Sequence, residues 1–141
     1  MSDITVPRLV AQVLSWPAAD YMARLALASP FLISGVGKLS DFNGAREEVL
    51  ELGLRPAALM AAAVIVTQLC GSILFLTQRY CWLGAGILAA FTAVATLLAH
   101  PFWGSDGPVR RRQTAIFFEH VAIVGGLAVA ALFAHGTEHL Q

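Results

Sequence analysis

The sequence predicts an all-α integral membrane protein, an antiparallel four-helix bundle with short interfacial helices. Hydrophobic residues make up 57% of its 141 residues and charged residues only 13%, and the mean hydropathy is +0.70. A water-soluble domain needs roughly a quarter of its residues charged to cover its surface. The apolar residues also form continuous stretches instead of alternating with polar ones, which favours helices over strands. Because this chain has so few charged residues, its outer surface must be apolar.

Four stretches have the length of a membrane span: residues 21–40, 57–77, 80–100 and 114–134. Each is close to the ~20 residues that cross a hydrocarbon core of ~30 Å. Because that core holds no water, backbone groups must bond within each stretch, which makes each one a helix. We divide the chain into an N-terminal interfacial segment (1–19), the four-helix bundle (20–135) and a short tail (136–141).

Two short helices are expected to lie along the membrane surface as scaffolding. Residues 43–52 carry apolar side chains near one face (Ala45, Val49 and Leu52), with charged residues on the rest. Gly53 is where this helix should end. A second candidate covers residues 6–16 and stops before Pro17. The first residues lack a basic stretch, so we expect no cleaved signal peptide.

Small residues recur at a spacing of four on three of the spans, and this predicts close helix packing. The predicted ridges are Ala63, Thr67 and Gly71; Ala85, Ala89 and Ala93; and Ala122, Gly126, Ala130 and Ala134. Such ridges let helices approach closely in lipid, where hydrophobicity does not drive association. We expect a tight bundle without a wide channel, and Gly126 against a neighbouring helix.

Five polar residues, Lys38, Gln68, His100, Glu119 and His120, form a candidate ligand-binding or structural polar cluster. An up-down-up-down bundle brings Lys38, His100, Glu119 and His120 to one end, called here the Lys38 end, and leaves Gln68 at mid-depth. The opposite end is called the Arg24 end. Ionisable groups inside a membrane usually face the bundle interior and pair. We therefore predict an ion pair between Lys38 and Glu119, either a structural lock or part of a ligand site.

Other interpretations of these polar residues stay open. Lys38 could extend to the headgroups instead, and Arg24 is expected to do so at the other end. His100 and His120 could be haem ligands, or could hold a metal with Glu119. We expect neither haem nor metal, because residues 119 and 120 point about 100° apart on a helix and no Glu-x-x-His repeat occurs.

The remaining features exclude several classes of function. Cys70 and Cys81 form no CxxC motif and are expected to be two small buried apolar residues. No nucleophile triad, phosphate-binding loop or dinucleotide-binding motif is present, so no catalytic residue is assigned. The formal net charge is zero, and nucleic acid is not an expected partner.

Several stretches together resemble the DoxX family of small four-helix bacterial membrane proteins. They are residues 24–38 (RLALASPFLISGVGK), residues 53–56 (GLRP), His100, and residues 121–127 (VAIVGGL). The similarity follows the family in order and spacing over roughly residues 20–135. Many relatives carry glutamate where this chain has Gln68, and lysine-asparagine where it has Glu119 and His120.

The resemblance implies a membrane redox role, since members are associated with thiosulfate oxidation to quinone and with oxidative-stress complexes. We therefore expect a non-catalytic accessory or anchor subunit of a quinone-linked system in the bacterial inner membrane, with lipid and a redox protein as partners. The alternatives are a quinone- or lipid-binding protein with its own site, and a small transporter. We expect no bound cofactor in the favoured role, although the polar cluster could accommodate a quinone. The distribution of basic residues places both termini in the periplasm.

Overall fold

The computed structural model describes residues 6–138 and contains six α-helices and two short 3-10 turns. Their bounds are α1 Arg8–Leu14, α2 Pro17–Ser40, α3 Phe42–Glu51, α4 Ala57–Leu76, α5 Cys81–Ala99 and α6 Gly107–Glu138. The 3-10 turns are Gln78–Tyr80 and Phe102–Gly104. Residues 1–5, on which the signal-peptide expectation rests, and the last residues of the predicted tail, 139–141, lie outside the described part.

Four of these helices, α2, α4, α5 and α6, are long and apolar enough to cross a membrane. They pack in sequence, α2 against α4, α4 against α5 and α5 against α6, while α2 and α6 contact each other much less extensively. Many large apolar side chains on their outer faces are exposed, as lipid requires. The predicted fold class, an all-α four-helix membrane bundle, is confirmed.

Helix α2 crosses the membrane with a proline in its middle. Pro17 stands in its first turn, where the missing N–H has no helical partner to lose. Pro30 lies inside the helix and leaves the carbonyl of Ala26 without its backbone donor. The hydroxyl of Ser29 donates to that carbonyl at 2.7 Å. A neighbouring side chain thus replaces the lost hydrogen bond, as is usual for membrane prolines.

Helix α3 is amphipathic and lies between the ends of α2 and α4. The carboxylate of Asp41 caps its start by accepting the Gly44 N–H at 3.0 Å. Ala45 and Val49 are buried against Ala61 of α4. Leu52 is 40% exposed and does not share this buried face, so its predicted position is wrong. Beyond the helix, Gly53 adopts a left-handed φ of 74° that turns the chain toward α4.

Helices α4 and α5 are in backbone contact at Gly84. A Cβ atom added to Gly84 would lie 2.2 Å from the backbone nitrogen of Phe75 and 2.7 Å from the carbonyl oxygen of Gly71. Around this contact the core gathers Phe75 and Leu88, which are fully buried, with Phe31 of α2. Glycine is required here because the two backbones touch.

The predicted small-residue ridges are partly wrong in their register. Gly71 and Ala85 are buried, and Gly126 faces Leu27 of α2 as expected. Three other members, Ala63, Ala93 and Ala122, are exposed. The cysteines also differ, because Cys81 is buried whereas Cys70 is exposed. In helices that are apolar on all sides, spacing alone does not tell the protein-facing side from the lipid-facing side.

Helix α6 begins at Gly107, which has a left-handed φ of 57°, and is longer than its predicted span of 114–134. Arg110, Arg111 and Arg112, expected in a loop, belong to its first turns and are exposed. Arginine is a good helix former, so the helix continues out of the membrane. Leu127 is the one fully buried residue of α6 within the described residues.

Candidate ligand site between the helices

The predicted Lys38–Glu119 ion pair is wrong. Lys38 Nζ lies 2.5 Å from a carboxylate oxygen of Glu48, which belongs to α3. Glu119 is exposed on the outer side of α6. Depth in the membrane brings Lys38 and Glu119 to the same end, but the rotation of α6 turns the Glu119 carboxylate away from α2. Lys38 and Glu119 therefore do not share a site with Gln68 and the histidines.

Gln68 lies at the centre of the bundle, on the face of α4 that meets α2. Its side chain is 6% exposed, and its amide nitrogen donates to the hydroxyl of Ser34 at 3.1 Å. The amide oxygen of Gln68 is buried and has no hydrogen-bond partner. Leaving such an acceptor unpaired costs about 1–3 kcal/mol. A ligand that donates a hydrogen bond to the Gln68 amide oxygen would therefore bind favourably here.

His120 and His100 contact each other at the junction of α5 and α6. Their ring centroids are 5.4 Å apart. Nδ1 of His100 lies 2.6 Å from the side-chain oxygen of Gln113, the residue that directly follows the three arginines of α6. Nδ1 of His120 is buried and has no hydrogen-bond partner. His100 is therefore bonded to Gln113 near the Lys38 end, and the neighbouring His120 has an unpartnered Nδ1 in the interior.

A cavity of about 160 Å³ lies between the four long helices and touches both of these unpartnered groups. Its walls are Pro30, Phe31, Ser34, Gln68, Phe91, Thr92, Ala95, Thr96, His120 and Ile123. The two threonine hydroxyls donate to carbonyls of their own helix, those of Leu88 and Thr92. Among the lining side chains, Gln68 and His120 are the ones with a buried polar atom that has no hydrogen-bond partner.

An apolar groove of about 200 Å³ lies next to this cavity, between α5 and α6. It is lined by Ala93, Thr96, Leu97, Phe117, His120, Val121 and Val124. Thr96 and His120 also line the central cavity, so the two spaces share a wall. The groove is therefore an apolar space that adjoins His120 on the side of α5 and α6.

Arg24 was expected to extend into the headgroups from the Arg24 end, and this is wrong. Its side chain is buried, with 7% of the residue exposed, and its guanidinium pairs with Asp20 one turn earlier in α2. Glu119 is exposed on α6 and lines neither the central cavity nor the groove beside it. Among the side chains that the structure describes, those of residues 6–136, no three of His, Cys, Asp or Glu converge to hold a metal ion.

Comparison with known proteins agrees with this architecture. The profile of the DoxX family matches residues 19–101, more than half of the chain. The chain belongs to the DoxX family. The matched part covers α2 to α5 and so includes Gln68 and His100, whereas His120 lies beyond it. Inner membrane protein YphA of Escherichia coli (strain K12) is 23% identical over 125 residues, 89% of each chain. No solved structure matches significantly.

Two residues that bond to members of the predicted cluster, Ser34 and Gln113, were missed from the sequence. Neither is charged, and an uncharged side chain in a span is a weaker signal than an ionisable one because it costs less to bury. The position of Ser34 offered a signal: it lies three residues after Phe31 and one before Gly35, on the side of α2 that is buried. Gln113 lies in the part of α6 that was expected to be a loop.

Proposed function

We propose that this DoxX protein is a non-catalytic membrane subunit of a quinone-linked redox system, and that it holds a quinone head group in the central cavity. One observation carries this proposal: two buried polar groups without partners, the amide oxygen of Gln68 and Nδ1 of His120, border one small cavity. Specific polar groups inside apolar walls are the usual composition of a small-molecule site.

The residues fit both redox forms of a quinone. A quinone offers carbonyl acceptors, and a quinol offers hydroxyl donors. As placed, the Gln68 oxygen suits a hydroxyl donor. Since the Ser34 hydroxyl can donate as well as accept, the Gln68 amide can also turn over and direct its N–H₂ at a carbonyl. Nδ1 of His120 donates or accepts according to its tautomer.

Each residue has a defined task in this proposal. Gln68 and His120 orient the head group, Phe31 and Phe91 flank it, and the groove beside α5 and α6 takes the apolar tail. The quinone, when bound, supplies the electron-carrying chemistry. The sequence shows no nucleophile triad and no nucleotide-binding motif, so in this proposal the electrons come from a partner oxidoreductase.

The outer face of α6 supports the existence of such a partner. Glu119 is exposed on this face within a candidate span and has no hydrogen bond or ion pair to any described residue. A carboxylate inside a membrane is costly unless it is paired or hydrated. A donor on a neighbouring subunit would remove that cost.

Binding of a short-chain benzoquinone to the purified full-length protein tests the site. Thermal stabilisation by the quinone gives the apparent affinity. Gln68→Leu and His120→Phe should each weaken binding about five- to tenfold, the equivalent of one lost hydrogen bond. Ser72→Ala is the matched control, because the Ser72 hydroxyl is buried one turn from Gln68 but bonds only to the backbone of its own helix. Equal affinity in all four proteins would refute the proposed site.

The accessory role is tested separately, by purifying the tagged protein from its native membrane in a mild detergent. A stoichiometric oxidoreductase subunit should copurify with the wild type and be lost with Glu119→Leu. If no partner copurifies with the wild type, or if Glu119→Leu copurifies with as much partner as the wild type does, the proposed interface is wrong. If quinone binding is confirmed but no partner copurifies, the protein binds quinone and the accessory role is refuted.

A further inference from the structure

A second and larger cavity lies at the Arg24 end, separate from the proposed quinone site. Its volume is about 660 Å³, and it is bounded by the start of α2, the connection from α4 to α5 and the end of α6. Its polar side chains include Asp20, Arg24, Gln78 and Arg79. No residue of this cavity belongs to the central one.

Arg24 is buried in the wall of this cavity with part of its guanidinium unused. One terminal nitrogen binds Asp20, and the side chain lies beside the thiol of Cys81. The Nε–H group is buried and has no hydrogen-bond partner. Asp20 is the nearer to solvent of the ion pair, with 42% of its side chain exposed. A buried guanidinium with an unpaired N–H favours an additional acceptor.

The charges around the cavity select a negative ligand. Arg24 and Arg79 are cations and Asp20 is the one carboxylate among the lining residues, which leaves an excess positive charge of one. The guanidinium of Arg79 lies 6.0 Å from the ring of Tyr80, at the edge of the bundle. The planar fork of arginine matches the oxygens of a phosphate group, to which it can donate two parallel hydrogen bonds.

We propose that this cavity binds the phosphate of an anionic membrane lipid through Arg24 and Arg79. The lipid is favoured over a soluble anion because Leu14, Trp16 and Phe133 give the cavity apolar walls beside its cations. Helix α1 adjoins the same opening and buries none of its residues, while Leu9, Val13 and Leu14 are more than half exposed. A lipid places its phosphate at the arginines and its acyl chains against these apolar side chains.

The test is a lipid titration of the purified, delipidated full-length protein, followed by native mass spectrometry. Phosphatidylglycerol is compared with phosphatidylcholine, and inorganic phosphate is added in a separate arm. The wild type should retain phosphatidylglycerol preferentially. Arg79→Gln should weaken that binding about fivefold, the value of one interfacial cation. Arg111→Gln, an equal charge change on an exposed residue at the opposite end, should leave it unchanged.

The double variant Asp20→Asn/Arg24→Gln should weaken phosphatidylglycerol binding at least tenfold, since it removes the buried charge-assisted bonds without leaving Asp20 uncompensated. If this variant does not fold, the comparison of Arg79→Gln with Arg111→Gln still decides. Equal losses in those two, or equal retention of phosphatidylcholine by the wild type, would overturn the proposal. Displacement of the lipid by millimolar inorganic phosphate would also overturn it, because the occupant would then be a soluble anion.

Discussion

Replacing Gly84 by alanine tests whether α4 and α5 are in backbone contact. The added Cβ would lie 2.2 Å from the backbone nitrogen of Phe75, 2.6 Å from its Cα and 2.7 Å from the carbonyl oxygen of Gly71. Cβ atoms essentially never approach other heavy atoms closer than 3.0 Å. The obstructing atoms are backbone, so no side chain can turn away, and the two helices must separate.

The expected loss of stability follows from two opposing effects. Overpacking of a tight interior typically costs about 1–3 kcal/mol, and a contact with backbone belongs at the upper end. Alanine in a helix gains roughly 0.5–1 kcal/mol over glycine. The net loss should therefore be about 2 kcal/mol.

Thermal or denaturant unfolding in a fixed detergent measures this loss, with Gly86→Ala as the matched control. Gly86 is two residues away in α5, and a Cβ there would meet no atom within 4 Å. That variant should be neutral or slightly more stable. Gly71→Ala should lie between the two, because its nearest obstacle at 2.9 Å is the flexible side chain of Leu88. Equal stability of the Gly84 and Gly86 variants would refute the close contact.

Three further predictions concern the charges and the proline of the bundle. Lys38→Met should cost less than about 1 kcal/mol, since Glu48 is largely exposed and such pairs contribute little; a double-mutant cycle with Glu119→Gln should show no coupling. Pro30→Ala should leave the unfolding free energy unchanged or raised, because α2 regains a backbone hydrogen bond, and any loss in quinone affinity would show that the proline shapes the cavity. A C-terminal reporter active only in the cytoplasm should be inactive, since more basic residues lie at the Lys38 end than at the Arg24 end. These are Lys38, Arg46, Arg55, Arg110, Arg111 and Arg112 against Arg8, Arg24 and Arg79.

The spans could be predicted from the sequence because a membrane imposes a length and an apolar composition that no other environment requires. The end of a span is less well defined. Helix α6 begins seven residues before its predicted start, at Gly107 instead of position 114, because arginines end the apolar stretch without ending the helix. Composition reports where lipid ends, whereas helix capping and backbone geometry report where the helix ends.

The candidate site could be predicted only in its depth. Gln68, His100 and His120 were expected at about the levels where they occur, yet the partner assigned to Glu119 was wrong. Adjacent residues on a helix point about 100° apart, and of these two His120 faces the cavity whereas Glu119 is exposed. Which of the two faces the cavity depends on the rotation of α6, and α6 has no amphipathic pattern in its membrane-spanning part to fix that rotation.

The uneven packing of the bundle has a mechanical consequence. At Gly84, α4 and α5 are held backbone to backbone, whereas α2 and α6 meet over a small area where Leu27 touches Gly126. Pro30 interrupts the hydrogen-bond ladder of α2 on this looser side, beside the central cavity. From this difference in packing we expect the contact between α2 and α6 to open more readily than the contact between α4 and α5. A molecule larger than the central cavity would then enter by separating α2 from α6, while α4 and α5 stay in contact at Gly84.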